Sequence, residues 1–219
     1  MAAQPRPGIC PKKRRRDRLI RWAAIHPAWA SGFGDETWWS RLARPALSAW
    51  AEPDRPLRLV EQTAAAGDPD PKALACYGLW LPSLAETWLR FVDGRPVSAL
   101  TTRFLAWCCD ELAARGKAAL LLVWDNAGWH ISHAVRRWVQ EHNRRARQAA
   151  SGVRIVSRFL PSESPWLNPI EPKWGHAKRR VVEPDRLLDA RGLAERARAA
   201  LDCPYHEHLI PNPRECSVK

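Results

Sequence analysis

Six apolar residues in a row, Ala118 to Val123, are closed by Trp124-Asp125-Asn126. An apolar run of this length, rich in Leu and Val and ended by polar and Gly residues, suits a strand buried on both faces. Asp125 then stands at the carboxyl end of a central strand, where open α/β sheets place their ligands. A second apolar run, Val153 to Leu160, follows a long basic stretch with helical character. After it come Pro161, Pro165 and Pro169, then a helical segment that begins near Asn168 and carries Glu171 in its first turn. Two acidic residues far apart in sequence are each delivered to the end of an element. Carboxylates that converge repel one another unless a divalent cation sits between them.

The chain has 219 residues, enough for one good-sized domain with a substantial core. Its formal net charge of +12 implies a polyanionic partner, most often nucleic acid. The 13 Trp residues argue for a large core and against a small ribosomal protein. No apolar run approaches the roughly 20 residues of a membrane span. The basic N-terminus has no apolar stretch behind it and does not read as a secretory signal. A cytosolic location is expected. Cys10, Cys76, Cys108, Cys109, Cys203 and Cys216 contain no CxxC pair and have no His at zinc-finger spacing, so reduced, mostly buried thiols are expected.

In chain order, residues 1–18 are rich in Pro and basic residues, with Lys12, Lys13, Arg14, Arg15 and Arg16 in succession. They read as a solvated arm, or as an arm that contacts DNA phosphates and orders on binding. Leu74 to Leu81 and Thr87 to Val92 read as strands, with Asp93-Gly94 as a turn. Val97 to Arg115 reads as an amphipathic helix with Ser98 as N-cap and Gly116 as its stop. A helix from about Ser132 to Gln148 carries Arg136, Arg137, Arg144, Arg145 and Arg147. Asp185 to Leu201 forms a further charged helix, and the tail from Cys203 is irregular.

Two segments carry a family resemblance. WDNAGWH (Trp124 to His130) and FLPSESPWLNPIEPKWGHAKRR (Phe159 to Arg180) resemble the DDE endonuclease domain of transposases of the IS630 and Tc1/mariner superfamily. Ser164-Pro165-Trp166-Leu167-Asn168-Pro169-Ile170-Glu171 fits that family's second pattern at every fixed position. Phe33-Gly34-Asp35-Glu36-Thr37-Trp38-Trp39 resembles its first motif, an Asp-Glu pair in the first strand. The resemblance runs from about Phe33 to about Val181. It implies an α/β, ribonuclease H-like fold with a mixed five-stranded sheet flanked by helices. The expected organisation is a basic arm or linker over 1–32, the catalytic domain over 33–202 and an irregular tail over 203–219.

By the same resemblance Asp35, Asp125 and Glu171 are the catalytic acids and hold two Mg²⁺ or Mn²⁺ ions. The ions activate a water or 3′-hydroxyl and stabilise the leaving oxygen during DNA strand cleavage and strand transfer. Strand residues alternate faces, so only one of Asp35 and Glu36 can face the metals. The motif match selects Asp35, leaving Glu36 to point away or to support the site from behind. Asp54, in a Pro-flanked turn, is the rival first acid. Asn126 and Asn168 are expected to orient the acid-bearing segments, Asn168 alternatively as a helix cap. His130 either approaches phosphate or is a satisfied structural histidine. DNA is the expected partner, met by Lys12, Lys13, Arg14, Arg15, Arg16, Arg136, Arg137, Arg144, Arg145, Lys173, Lys178, Arg179 and Arg180, with the protein a homodimer on transposon ends and target DNA.

Three departures stand out. Positions 126–170 place 45 residues between the second and third acids, more than is usual in the family, with the extra length near Arg144 to Gly152. Ser162-Glu163 replaces the usual Pro-Tyr. Only about 30 residues precede Phe33, too few for the family's helix-turn-helix module. Recognition of transposon ends then calls for a separate chain, a frameshifted product or a longer parent protein. The alternative readings are an inactive remnant that only binds DNA, and another nuclease of the same fold.

Overall fold

The computed structural model describes residues 9–43, 63–161, 164–181 and 186–210. Asp54 and the Ser162-Glu163 pair lie outside the described residues, as do the side chains of Lys12 and Lys13.

The sheet is built around β1 (Trp29–Ser40). On one side β1 pairs antiparallel with β2 (Ala73–Leu81), which pairs antiparallel with β3 (Glu86–Val92). On the other side it runs parallel to β4 (Ala119–Trp124), which runs parallel to β5 (Arg154–Phe159). The strand order is therefore β3-β2-β1-β4-β5, a mixed five-stranded sheet in the ribonuclease H-like arrangement. Every residue of β4 is buried, which explains why its sequence is apolar throughout instead of alternating.

Helices cover both faces. α2 (Ser98–Ala114) and α3 (His133–Gln148) lie on one face, where Leu105, Cys108 and Val135 pack with Leu120, Leu122 and Trp124. The opposite face carries α1 (Ile9–Ala24), α4 (Glu171–Val181) and α5 (Ala190–Ala200). There Ala23 packs with Phe33, Leu121 and Val123, while Trp174, Ala177 and Leu193 pack with Trp39 and Cys76. The even and odd residues of β4 thus divide between two cores, as the strand period of two requires.

The arm expected over residues 1–32 is different. Residues 9–24 are helical, and α1 buries Ala23 with Leu19 and Ile20 against the sheet while leaving Arg14, Arg15, Arg18 and Arg21 in solvent. Apolar residues at positions 19, 20 and 23 follow helical spacing, so a short apolar stripe sits inside what composition alone reads as a charged tail. β1 also starts at Trp29, ahead of the motif. Ser98 does not cap α2: the N-cap is Val97, without a side-chain bond, and the Ser98 hydroxyl instead donates to Ser132 Oγ at 2.9 Å. Ser132 is the working cap, its hydroxyl accepting from the Val135 amide that opens α3. Gly116 ends α2 in the left-handed region at φ 69°, as expected. α5 begins at Ala190, capped by Asp189, later than the expected Asp185. Cys76, Cys108, Cys109 and Cys203 are free and buried. Among the described residues no helix is long and apolar enough to cross a membrane.

Candidate active site

Asp35 lies in β1 opposite Gly78 of β2, just past the point where β1 leaves its pairing with β4 at Phe33–Val123. Its side chain is on the α4 face, where the indole N–H of Trp174 donates to Asp35 Oδ2 at 2.8 Å. Gly78 makes that contact possible. A Cβ there would run into the Trp174 ring and stand 3.1 Å from Ile170 Cδ1. Glu171 is the first residue of α4, one turn before Trp174. The loop that leads into α4 is fastened to β1 by Asn168, whose side-chain amide donates to the Gly34 carbonyl at 3.1 Å. The Asn168 side chain therefore ties the third acid's segment to the first acid's strand and does not cap the helix. Arg16 of α1 adds a second tie, donating to the Leu167 carbonyl at 2.9 Å.

Asp125 follows the last residue of β4. Asn126 donates to the Leu160 carbonyl at 2.7 Å, and Leu160 N–H donates to Trp124 O at 2.8 Å, so the ends of β4 and β5 are clasped together. Asp125 Oδ1 accepts from the Ala127 amide at 3.0 Å and from His130 Nδ1 at 2.7 Å. The other nitrogen of His130, Nε2, stands 2.7 Å from Glu36 Oε1. Both ring nitrogens therefore face carboxylate oxygens, and both bonds form together only with the imidazolium. Burial alone would lower the His130 pKa, but the hydrogen bonds to Asp125 and Glu36 outweigh it and hold the ring up at about 9.

The acids sense one another. Burial, and then the negative charge of Glu171, push the Asp35 carboxyl from 3.8 up to about 7, with Glu36 and Asp125 adding to the push and the Trp174 N–H opposing it. Glu171 is also raised, first by partial burial and then by Asp125, with Lys178 working against both. Asp125 is lowered: burial would raise it, but the His130 and Ala127 donors prevail. Three carboxylates from β1, the end of β4 and the start of α4 thus share one neighbourhood with a deficit of positive charge. The donor set is oxygen only, which suits a hard divalent cation such as Mg²⁺ or Mn²⁺ better than zinc. Among the described residues no three acidic, His or Cys side chains already stand as a closed ligand cluster. The acids supply the charge for a cation, and it would have to draw them in.

Two residues at this site escape the sequence reading, Trp174 and Gly78. Trp174 lies three positions after Glu171, the spacing that puts two residues on one helix face, so it was findable as a neighbour of the acid. Gly78 gives no sequence signal, because its partner is 96 positions away in the chain.

The expected basic residues do not form one surface. Arg14, Arg15, Lys178, Arg179 and Arg180 are exposed on helices of the acid-bearing face. Lys173 on the same face lies over the Trp80 ring at 3.6 Å. Arg16 is largely occupied, with Asp17 at 2.6 Å besides the Leu167 carbonyl. Arg136, Arg137, Arg144 and Arg145 belong to α3 on the opposite face, and Arg144 and Arg145 both pair with Glu141.

The fold is a ribonuclease H-like sheet that brings together acids from the middle of β1, the end of β4 and the start of α4. Residues 33–193 match the model of the DDE superfamily endonuclease family, and the chain belongs to that family. Among solved structures it is similar to the Mos1 transposase paired-end complex with left transposon end, at TM-score 0.60 and 13% identity over 92% of this chain and 58% of that one. The Mos1 mariner paired-end complex with Mn gives TM-score 0.58 and 15% identity over 92% and 56%. The Mos1 strand transfer complex gives 0.57 and 14% over 87% and 51%. At these identities the likeness is one of fold, and the chain spans somewhat over half the length of those proteins. No curated protein matches the sequence.

Proposed function

We propose that this chain is the catalytic domain of a DNA transposase, spanning about residues 33–202, that cleaves DNA strands and transfers them to a target. The carrying observation is that Asp35, Asp125 and Glu171 arise from three separate elements, yet Asp35, raised chiefly by its burial, is raised further by the charges of both other acids. In a member of the DDE superfamily endonuclease family, such a charge deficit fits a pair of Mg²⁺ or Mn²⁺ ions held by those three carboxylates. When bound, two such ions make an attacking water or 3′-hydroxyl more acidic and stabilise the leaving oxygen.

The chain's own residues do the positioning. Asn126 and Asn168 fix the segments that carry Asp125 and Glu171. Trp174 holds the Asp35 carboxylate from one side. The exposed basic residues of α1 and α4, on the same face as the acids, take the phosphates of the DNA. Transposon ends and target DNA are the proposed substrates, with two copies acting together on DNA in the cytosol. A helix-turn-helix recognition subunit is a further proposed partner, for selection of the ends.

The test is nicking of a DNA that carries the element's own ends, with the recognition module supplied. Asp125→Ala and Glu171→Ala should abolish Mg²⁺- or Mn²⁺-dependent cleavage while DNA affinity stays at the wild-type level or rises slightly, since an acid has been removed from a phosphate-binding face. Equal cutting by wild type and Glu171→Ala would refute the reading. A wild type that binds DNA but never cuts would leave a DNA-binding protein without catalysis.

A further inference from the structure

Asp35 and Glu36 are adjacent in β1 and so point to opposite faces of the sheet. Asp35 meets α4 through Trp174; Glu36 meets His130. Glu36 is only 8% exposed and His130 2%, whereas Asp125 is half exposed at 50%. A carboxylate buried as deeply as Glu36 requires a charged or hydrogen-bonded partner, and its bond to His130 at 2.7 Å supplies one. The same ring reaches Asp125 Oδ1 at 2.7 Å.

The ring cannot swing away. Trp124 stacks on it at 4.3 Å with planes 19° apart, and Trp129 meets it edge-on at 6.1 Å. The backbone turn is also closed, with the His130 amide donating to Ala127 O at 2.9 Å. Asp125, by contrast, sits just past the end of β4, where sheet pairing no longer restrains it.

We propose that Glu36 and His130 form a buried strut that holds the Asp125 carboxylate in one rotamer, with Oδ1 occupied and Oδ2 left to face a divalent cation. The inference rests on the metal-binding reading of Asp125 given above. It gives the adjacent acids of β1 separate tasks: Asp35 faces the metal site, and Glu36 acts on the other side of the sheet, through His130, as a positioning residue. Hydrogen-bonded partners behind a metal ligand typically change metal affinity by roughly 10–100-fold when removed. An unrestrained, half-exposed Asp125 would have to be ordered by the cation itself.

The experiment is Mn²⁺ titration of the full chain, reading free Mn²⁺ by its paramagnetic resonance signal. The variants are Glu36→Gln, His130→Gln and Asp125→Asn, plus each strut variant combined with Asp125→Asn. His130→Gln should bind Mn²⁺ roughly 10–100-fold more weakly than wild type, and Glu36→Gln should shift in the same direction by less. Neither should weaken binding further once Asp125 is Asn. Circular dichroism and DNA affinity should stay at wild-type values; if His130→Gln does not fold, the near-isosteric Glu36→Gln carries the test. Wild-type Mn²⁺ affinity in folded strut variants would overturn the strut, as would losses that add fully to that of Asp125→Asn. Mn²⁺ binding that is indifferent to Asp125→Asn would overturn the metal reading and the strut together. Dependence on Asp125 without dependence on Glu36 or His130 would overturn the strut alone.

Discussion

At the residue scale, two groups of the site, one on each side of the sheet, hold a proton more tightly in the fold than in the unfolded chain. Asp35 titrates near 7 instead of 3.8, chiefly because it is buried and then because Glu171 is near. The folded protein therefore keeps a proton that the unfolded chain has released between about pH 4 and pH 7. Stability falls as pH rises through that window and stays reduced above it. His130 runs the same way, at higher pH. Its pKa is raised from 6.5 to about 9, so its stabilising contribution is complete below about pH 6.5 and is lost as pH rises through about 9. In metal-free thermal melts, Asp35→Asn should gain on wild type from pH 4 to 7 and hold its lead above 7. A lead equal at pH 4 and pH 8 would show that Asp35 is not the titrating group. Saturating Mn²⁺ should remove most of that lead, because the cation takes the place of the proton and the variant gives up a ligand oxygen.

At the scale of elements, the site depends on how closely α4 approaches β1 and β2. Trp174 occupies the space that Gly78 leaves open, and the indole then reaches Asp35. Gly78→Ala would force Trp174 outward and move Glu171 with it, since both belong to α4. Overpacking of this kind costs typically about 1–3 kcal/mol, so the thermal midpoint should drop by several degrees. Nicking should fall by more than the loss of folded protein explains. A Gly78→Ala protein with wild-type midpoint and activity would mean that α4 has slack against the sheet. The long spacing between the second and third acids has an element-level answer too. α3 runs on to Gln148 and the chain turns back within five residues, with Ala150 and Gly152 in left-handed conformations at φ 48° and 81°. Arg144 to Gly152, where the extra length is expected, form the end of that helix and its turn, away from the ends that bear Asp125 and Glu171.

At the scale of the whole molecule, the described basic residues are divided between two faces of the sheet. In the proposed reading, phosphate binding at the acids falls to α1 and α4. Charge reversal of Arg14 and Arg15 with Arg179 and Arg180 should weaken DNA binding strongly. It should also reduce the slope of log affinity against log salt, by roughly 0.9 for each phosphate no longer neutralised. Arg136→Ala with Arg137→Ala, on the other face, should cost less in a gel-shift or anisotropy titration at the same ionic strength. Equal effects from the two sets would indicate that the DNA wraps both faces. A salt-independent affinity would exclude a phosphate-dominated interface altogether.

Much of this architecture was legible in order along the chain. The unbroken apolar run of β4 can only be a strand covered on both sides, and strands β2, β3 and β5 and helices α2 and α3 declared themselves by period and by turn residues. The motif resemblance named three acids, and local sequence placed two of them, Asp125 and Glu171, at element ends. Local chemistry carries that far because period and capping act over a few residues. What only the tertiary structure decided are contacts between positions far apart. Helix α1 owes its place to three apolar side chains seated on Phe33, Leu121 and Val123, where charge composition suggested a free arm. Which of two neighbouring acids faces α4 and which faces His130 is set by the register of β1 in the sheet, 94 residues from that histidine. The division of the basic residues between two faces follows from which side each helix packs on. Such choices are made by the burial of apolar surface across the whole fold, and no window of sequence contains the partners that settle them.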